Sequence, residues 1–459
     1  MTNASHRVVL AIGNTFEFNT RQNKHLPMQD LIVQREHKEN FAVSAEMALF
    51  WGGVADERVV ILPKAPHADY IAQLEAKLSV RIKLLVPKLV TGWVCRDLLE
   101  DEAALAELIQ DLGARDVIVM PWGVTDYYYK LLDILRARGI KICDIGGPVI
   151  GSQWAVDYCD SKVGSRSILE QASAAFPDFG PPPGYICHNL IEAAALIETL
   201  SRELDKPMIV KSDVGSGGRG VKLYRASQTG PANDAPYYHF LDLVAQDDLW
   251  QNVPIVVETA VGDGVFLSTP SFDGLINPDG TVSRMAVENM LTPERQCVGV
   301  EIGIDVLPAE WYEKLASVGE AVGRHLALIG YRGWYDVDFL LPTQGLTFYG
   351  SEVNPRRGGG TAPIEIAQRL FGLDWIQHGY FKSFERLWVR KSFEDYGELQ
   401  EVIFRVNEQA QTNDGGVILL SSTSAMLRTP YLTYFVFAKN RGEGLAIEAD
   451  LHAQLAAYN

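Results

Sequence analysis

The sequence predicts a parallel α/β domain followed by a larger α+β region, for three reasons. Near the N-terminus, short apolar runs alternate with helical patterns, which is typical of a parallel sheet covered by helices. Beyond about residue 155, strands instead come in pairs joined by turns. A final segment again mixes strands with a terminal helix. A chain of 459 residues is long enough for two or three domains.

The first domain is predicted to be doubly wound and to span residues 1–155. Its predicted strands are Arg7–Ile12, Arg58–Leu62, Ile82–Val86, Asp116–Met120 and Ile140–Asp144, and its helices include Arg96–Leu112 and Asp126–Arg138. Glycines at Gly13, Gly52–Gly53 and Gly146–Gly147 follow strands, at the edge where such sheets bind ligands. Because none of them forms a GxGxxG pattern, no dinucleotide site is expected.

The second domain is predicted over residues 156–390, with a lid lobe at about 156–260 and a metal-site lobe at about 261–390. A small α+β appendage at 391–459 would follow. The remaining predicted helices are Ser161–Ala175, Leu190–Leu204, Trp311–Ile329, Ile364–Leu370, an aromatic segment around Trp375–Val389, and Ile447–Tyr458. The appendage is predicted to contain strands Val402–Val406, Val417–Leu420 and Leu432–Ala438.

Composition limits the classes of partner and compartment. The hydrophobic content of 47% fits globular cores, and a formal net charge of −17 argues against nucleic acid as the main partner. The five cysteines form no CxxC pair, which suits reduced thiols. No apolar run is long enough for a membrane span, and the first residues lack the features of a signal peptide. We therefore expect a cytoplasmic protein that binds no membrane.

One stretch, YRGWYDVDFLLPTQGLTFYGSEVNPRRGGGTAP, carries the strongest chemical signal. It is predicted to be a hairpin of strands Trp334–Leu341 and Leu346–Val353. Alternation along each strand brings Asp338, Glu352 and Asn354 onto one patch. Two carboxylates and an amide oxygen are hard ligands that suit Mg²⁺ in phosphoryl-transfer sites.

The residues after this hairpin are suited to anions. Arg356 and Arg357 can bind phosphate or carboxylate through forked hydrogen bonds, and Gly358–Gly360 would let backbone amides approach an anion. A solvated strand face followed by a surface loop would account for the same residues, so this stretch alone does not decide between the two interpretations.

A second stretch, KPMIVKSDVGSGGRGVKLY, is predicted to be a β-hairpin with a glycine-rich tip. In a Walker A loop, Lys-Ser/Thr follows the last glycine and a helix begins there. Here Lys211 precedes the glycines and a strand follows them. The pattern favours a tip, with Gly215, Ser216, Gly217 and Gly218, that folds over phosphates while Lys211 supplies charge.

A third element is the strand Ile255–Ala260, which ends with Glu258. Such a strand end can meet an adenine, with the carboxylate or a carbonyl accepting from its amine and the next amide donating to the ring. A strand that leaves the core with an exposed carboxylate is the alternative.

The order of these elements resembles the ATP-grasp superfamily of carboxylate–amine ligases, over about residues 155–380. The resemblance implies that Lys162 and Lys211 contact nucleotide phosphates and that Glu258, Thr259 and Ala260 line the adenine. It implies that Asp338, Glu352 and Asn354 bind Mg²⁺ (or Mn²⁺), and that Arg356, with Lys211, acts in catalysis on bound ATP. Within the superfamily, the run SEVNPRRGGGTAP and the flanking domains look most like peptide ligases of the pheganomycin type.

The resemblance implies a reaction in which a carboxylate attacks the γ-phosphate of ATP, and an amine then attacks the acylphosphate. The expected partners are an amino acid or peptide carboxylate, an amine, and a second copy of the chain in a homodimer. Two alternatives stay open: an ATP-grasp amide synthetase with a non-peptide substrate, and an ATP-binding regulatory module without turnover.

Overall fold

A computed structural model describes residues 7–21, 41–204, 206–215, 220–225, 236–245, 247–261, 266–293, 297–303, 305–343, 345–390, 392–393, 395–411 and 414–458. The described strands form three sheets, and helices cover them. The helices are α1 (Thr15–Thr20), α2 (Ala68–Leu78), α3 (Val94–Leu99), α4 (Glu102–Leu112), α5 (Asp126–Ala137), α6 (Trp154–Cys159), α7 (Lys162–Ser173), α8 (Leu190–Leu204), α9 (Pro236–Val244), α10 (Ala309–Leu328), α11 (Thr361–Phe371), α12 (Tyr396–Ala410) and α13 (Arg441–Tyr458).

The first sheet is parallel, as predicted. Its strands are β1 (Arg7–Ile12), β2 (Glu57–Ile61), β3 (Arg81–Leu85), β4 (Asp116–Pro121) and β5 (Lys141–Asp144), in the order β3-β2-β1-β4-β5. Both faces of the central strand β1 are buried, since Val8, Leu10 and Ile12 face one apolar core and Val9 and Ala11 face another. A near-continuous apolar run is what such a two-sided strand requires.

The second sheet is small and antiparallel. After the short strand β6 (Phe179–Gly180), it contains β7 (Gly184–Cys187), β8 (Met208–Ser212), β9 (Val221–Tyr224) and β10 (Ile255–Thr259). Their order is β7-β10-β8-β9, and helices α8 and α9 close a separate core around Trp250 and Phe240. The predicted glycine hairpin is confirmed as the pair β8–β9.

The third sheet has ten strands and joins the middle of the chain to its end. Its further strands are β11 (Phe266–Ser268), β12 (Pro270–Ile276), β13 (Val282–Leu291), β14 (Gly299–Gly303), β15 (Gly333–Pro342), β16 (Phe348–Asn354), β17 (Tyr380–Trp388), β18 (Gly416–Leu419) and β19 (Tyr431–Ala438). The order is β18-β19-β17-β14-β13-β12-β15-β16-β6, and β11 pairs with β15. The C-terminal α+β segment therefore adds its two strands to the edge of this sheet.

Two predicted elements have a different type of secondary structure from the one expected. The aromatic segment around Trp375–Val389 is mainly strand β17, because it pairs with β14 on one side and β19 on the other. Aromatic residues suit such a pleated, half-buried surface. The run Val402–Val406 belongs to helix α12, whose buried residues follow helical spacing at Leu399, Val402 and Val406.

The predicted helix Arg96–Leu112 is two helices. Asp101 separates them, because its carboxylate caps α4 by accepting from the Ala104 amide at 3.2 Å. In the part of the chain that the structure describes, no helix is both long and apolar enough to cross a membrane.

Candidate functional site

The metal patch predicted from the sequence lies on the hairpin β15–β16. Asp338 pairs directly with Glu352, and Asp336 pairs with Asn354. A register shift follows Asp338, so the pairing continues from Phe339 with Gly350. The Asn354 amide donates to Asp336 Oδ1 at 2.6 Å and to Asp338 Oδ2 at 3.4 Å. The three predicted metal ligands therefore lie together, with Asp336 as a fourth polar neighbour.

Lys162 reaches the same patch from helix α7. Ser161 caps this helix by accepting from the Gly164 amide at 2.9 Å, which places Lys162 at the first helical position. The buried Lys162 ammonium forms an ion pair with Glu352. The structure therefore places Lys162 beside the predicted metal ligands, and its contact with a phosphate stays a prediction.

Lys211 approaches from the small sheet. Its ammonium lies 2.8 Å from Glu258 Oε2 and donates to the Ser351 carbonyl at 3.2 Å. The second contact joins the small sheet to β16, directly before Glu352. Lys211 therefore lies beside the metal patch. Lys162 also lies beside it, although the two lysines are 49 positions apart in the chain.

Glu258 is buried and fully paired in this arrangement. Arg166 Nη1 contacts Glu258 Oε1 at 3.0 Å, and Lys211 holds the other carboxylate oxygen. The amides of Thr259 and Ala260 donate to Pro183 O and Pro207 O, each at 2.8 Å. The sequence interpretation has these groups contacting an adenine, but here they already have protein partners. A base contact at Glu258–Ala260 stays a prediction.

The glycine tip is described only at its two ends. Gly215 and Gly220 have positive φ values of 124° and 77°, and the Ser212 amide donates to Gly220 O at 2.8 Å. Such φ values favour glycine at both ends. The predicted phosphate-binding residues Ser216, Gly217 and Gly218 lie outside the described residues.

The two arginines after the hairpin have different environments. Arg356 Nη2 donates to Asn354 Oδ1 at 2.8 Å, and its Nε lies 3.7 Å from Asp160 Oδ1. Arg357 is instead buried, 3.0 Å from Glu365 Oε1, with its guanidinium 4.6 Å from the ring centre of Trp51. The sequence interpretation has both arginines binding an anion, but only Arg356 keeps its guanidinium beside the metal patch.

Further carboxylates surround the patch. Asp273 on β12 pairs with Asp336, and Glu288 on β13 pairs with Ser271. Asp273 and Glu288 are buried, and one oxygen of each (Oδ2 and Oε2) has no hydrogen-bond partner among the described residues. These side chains extend the negative patch beneath the hairpin.

Burial and mutual repulsion raise the pKa values of four carboxyls: Asp273, Glu288, Asp336 and Asp338. Burial, then the charge of Glu352, raises the pKa of Asp338 to about 6. Burial raises the pKa of Asp273 to about 7, and burial with the charge of Asp273 raises that of Glu288. Burial and Asp338 likewise raise the pKa of Asp336. These four carboxyls therefore keep their protons to higher pH than free carboxyls do, and a nearby cation would favour their charged forms.

The glycine triplet lies against these carboxylates. A Cβ on Gly358 would lie 2.7 Å from Asp336 Oδ2, and one on Gly360 would lie 2.8 Å from Asp273 Oδ2 and closer still to Glu288 Oε2. Gly360 also caps helix α11, so the positive end of that helix faces the carboxylates. The backbone approaches an anion here, as predicted, but the anions it meets are the protein's own side chains.

The predicted donor set fits a divalent cation by its chemistry. Asp338 and Glu352 are opposed carboxylates whose repulsion a cation would relieve. As placed, Asn354 turns its amide nitrogen toward the carboxylates and its oxygen toward Arg356, so metal ligation would require a half-turn of this amide. No three His, Cys, Asp or Glu side chains of the described residues form a metal-binding group. The predicted set has two carboxylates and one amide.

Sequence reasoning missed several residues that contact the site. Arg166 was missed although it lies one helical turn after Lys162, which places both on one face of α7. Asp336 shares a face with Asp338 by simple alternation, and that signal was visible. Asp273 and Glu288 carry no such signal, because their strands meet β15 only in the folded sheet.

Solved structures with the same arrangement of elements provide the comparison. A biotin carboxylase from Campylobacter jejuni, in complex with β,γ-ATP, superposes with a TM-score of 0.54 at 14% identity, covering 96% of this chain and 89% of its own. An N5-carboxyaminoimidazole ribonucleotide synthetase in complex with ADP gives 0.54 at 13% identity, covering 97% and 96%. Both are ATP-grasp enzymes. The chain has the ATP-grasp fold.

A third structure with this fold is the biotin carboxylase domain of the Hydrogenobacter thermophilus 2-oxoglutarate carboxylase, with MgADP, ADP and bicarbonate. Its TM-score is 0.53 at 13% identity, covering 95% of this chain and 86% of its own. At the level of sequence, no family model matches. An uncharacterized protein of Sinorhizobium fredii is 27% identical over 242 residues, which are 51% of this chain and 44% of that protein. The chain thus covers less than half of that relative.

Proposed function

We propose that the protein is an ATP-dependent ligase that joins a carboxylate to an amine through an acylphosphate and releases ADP and phosphate. The observation that carries this proposal is the convergence of three separate parts of the fold on one patch. Helix α7 brings Lys162, the small sheet brings Lys211, and the hairpin β15–β16 brings Asp338 with Glu352 and then Arg356. Two lysines from different secondary-structure elements, which flank a carboxylate pair, suit the phosphates of ATP and a divalent cation.

The chain's own residues have separable roles in this reaction. Lys162 and Lys211 bind and orient the phosphates of ATP, and Gly215–Gly218 at the hairpin tip cover them. Asp338, Glu352 and Asn354 hold Mg²⁺ or Mn²⁺, which when bound supplies charge stabilisation to the phosphoryl group in transfer. Arg356 offers a guanidinium to the phosphate and the attacking carboxylate. Glu258–Ala260 contact the adenine.

The finer proposal is that the acid is an amino acid or a peptide, as in peptide ligases of the pheganomycin type. The glycine triplet and double arginine after Asn354 support it, because they belong to the run that carries that resemblance. A second copy of the chain and a cytoplasmic location are proposed with it. One solved structure that shares the fold contains bicarbonate, so bicarbonate belongs among the candidate acids.

The test is a product assay with the purified full-length chain, Mg²⁺ and ATP. Carboxylates, including bicarbonate, are combined with amines, and the nucleotide product and the mass of the coupled product are measured. We expect ADP and phosphate in equal amounts with an amide product. AMP in amounts equal to the product would contradict an acylphosphate. ATP binding with no nucleotide product from any pair would support the regulatory module instead.

A further inference from the structure

Asp213 connects the base of the glycine hairpin to helix α7. It follows β8 directly and is half-buried. Its side-chain Oδ1 accepts from the Val163 amide at 2.8 Å, and its carbonyl accepts from the Lys162 amide at 3.3 Å. Its own amide donates to Pro254 O at 3.0 Å, just before β10. One residue of the small sheet therefore holds the start of α7, which lies 50 positions earlier in the chain.

The first three amides of α7 all have partners. The first N–H groups of a helix have no acceptor within the helix itself. Here Asp213 accepts from the first two, those of Lys162 and Val163, and Ser161 Oγ accepts from the third, that of Gly164. A carboxylate at this end also suits the positive end of the helix dipole. The start of α7 is thus attached to the small sheet and is not an open anion site.

The two segments that Asp213 joins carry the two lysines that bind phosphates in the proposed reaction. Lys211 is two residues before Asp213, and the Lys162 amide itself donates to Asp213. The two ammonium groups reach neighbouring residues of β16, because Lys211 donates to Ser351 O at 3.2 Å and Lys162 pairs with Glu352. The contacts of Asp213 therefore set the separation of the two lysine backbones, and with it the separation of their ammonium groups.

A second group of contacts keeps α7 on the small sheet without Asp213. Arg166, one helical turn after Lys162, donates to Glu258 Oε1 at 3.0 Å and to Pro182 O at 2.9 Å. These hydrogen bonds hold the middle of the helix. Removing the Asp213 side chain should therefore leave the fold intact and loosen only the first turn of α7, where Lys162 lies.

The charge of Asp213 does not by itself favour a nucleotide. A carboxylate two residues from Lys211 repels a phosphate that this lysine binds. A benefit of Asp213 to phosphate binding therefore comes from its hydrogen bond to Val163 and not from its charge. Asparagine keeps the acceptor oxygen without the charge, and alanine removes both, so these two substitutions separate the two effects.

We propose that Asp213 is a positioning residue for phosphate binding. It holds Lys162 and Lys211 at the separation at which both ammonium groups contact the phosphates of one nucleotide. Asp213 does not contact the nucleotide itself, and its effect passes through the two lysines. This proposal rests on the proposed function, in which these lysines bind the phosphates of ATP.

Calorimetric titration of the full-length protein with a nonhydrolysable ATP analogue and Mg²⁺ tests this role. Asp213→Ala should weaken the affinity at least about tenfold, the loss expected when one charge-assisted contact to a phosphate is misplaced. Asp213→Asn should bind the analogue at least as tightly as the parent, because it keeps the hydrogen bond and removes the repulsion. A parent-like affinity of the Asp213→Ala protein, or an equal weakening in both variants, would overturn the proposal.

Asp395→Ala is the matched control. Asp395 Oδ1 accepts from the Gly397 amide at 2.8 Å at the start of α12, which is the same contact at the same helical position. Both alanine variants should lower the melting temperature by a similar amount, but only Asp213→Ala should weaken the affinity for the analogue. If both weaken it equally, Asp213 is an ordinary helix cap and the proposal is overturned.

A double variant tests whether Asp213 acts through a lysine. In a Lys162→Ala protein, adding Asp213→Ala should weaken the affinity for the analogue by less than about twofold, because the ammonium that Asp213 positions is then absent. A further weakening of about tenfold would show that Asp213 acts independently of Lys162, which contradicts a positioning role.

The two proposals fail in different ways. If the parent and the Asp213→Ala protein bind the analogue equally, the ligase function stands and the role of Asp213 is lost. If Asp213→Ala weakens binding but no pair of acid and amine releases ADP, the positioning role stands and the ligase function is lost. A parent protein that does not bind the analogue overturns both.

Discussion

Single side chains determine the charge of the candidate site. Five carboxylates surround the end of the hairpin, and two cations lie among them: Asp273, Glu288, Asp336, Asp338 and Glu352, with Lys162 and Arg356. Burial and repulsion keep the pKa values of the first four high. A bound cation would therefore stabilise the patch, and the size of this stabilisation depends on pH.

The pH dependence of stability follows from these pKa values. Asp338 titrates at about 6 and Asp273 at about 7 in the folded protein, against about 4 in an unfolded chain. Between pH 4 and 7 the folded state thus binds more protons, and the free energy of unfolding falls as pH rises through this window. Mg²⁺ at the patch would offset the repulsion, so we expect it to raise the melting temperature more at pH 8 than at pH 5.

Glu46 provides the control for this experiment. Burial raises its pKa to about 7 as well, but it accepts from the Ser422 amide, far along the chain from the patch. Glu46→Gln should flatten the pH dependence without changing the Mg²⁺ effect. A Mg²⁺ effect that is equal at both pH values would contradict a metal site among these carboxylates.

Glu352 is the side chain whose loss should affect turnover most directly. Glu352→Gln keeps the shape of the side chain but removes one charge from the metal patch and from the ion pair with Lys162. If metal positioning supplies several kcal/mol, ADP release should fall by at least about a hundredfold. Glu310→Gln, at an exposed site in the first turn of α10, is the control. Normal turnover of the Glu352→Gln protein would show that Glu352 is an ordinary strand carboxylate with no role in metal binding.

Among the larger elements, the loop between β16 and α11 is the one that encloses the carboxylates. A Cβ added to any glycine of Gly358–Gly360 would lie within 3 Å of a carboxylate oxygen. For Gly359 that oxygen belongs to Glu385. The triplet therefore allows the loop to pack closely over the site. Because the loop continues directly into α11, its position also sets the direction of that helix.

Gly360→Ala tests this packing. The φ value at Gly360 is −73°, so alanine fits the backbone and only the collision with Glu288 and Asp273 matters. Both carboxylates are buried, so overpacking should lower the free energy of unfolding by about 1–3 kcal/mol. Gly151→Ala, where a Cβ has no neighbour within 4 Å, should leave it unchanged. Equal urea midpoints for the two variants would contradict the close packing of the loop.

In the whole molecule, the first domain and the large sheet are joined by buried polar contacts as well as by apolar cores. Arg357 lies between the rings of Trp51 and Trp334 and forms an ion pair with Glu365, which also accepts from the Gly52 amide at 2.8 Å. This group connects the end of the β16 hairpin to the segment before β2.

Arg357→Met should therefore lower the free energy of unfolding, and not only reduce turnover. It leaves the Glu365 carboxylate buried without its cation, which costs roughly 3–5 kcal/mol. Adding Glu365→Leu should recover part of this loss, but not all, because the Gly52 amide then has no acceptor. Urea unfolding of the three proteins measures the difference. If the Arg357→Met protein is as stable as the parent, this contact does not hold the two parts of the molecule together.

The sequence by itself determined the elements whose signals are local. Alternation along a strand has a period of two residues, so it placed Asp336 with Asp338 on one face of the first strand and Glu352 with Asn354 on one face of the second, and the predicted hairpin brought Asp338, Glu352 and Asn354 onto one patch. The order of strand, glycine tip and strand around Lys211 likewise excluded a Walker A loop. The parallel first sheet and the two hairpins were predicted for this reason.

Only the tertiary structure decided which distant segments meet. Arg166 pairs with Glu258 across 92 positions, and Asp273 and Glu288 join the patch through strand order in the ten-stranded sheet. Trp122 and Arg356 line one small cavity because the end of β4 meets the end of β16 there. Burial, which raises the pKa values of the carboxylates and sets Arg357 apart from Arg356, is a property of the packed molecule. No local pattern specifies it, because it depends on what the rest of the chain places around each side chain.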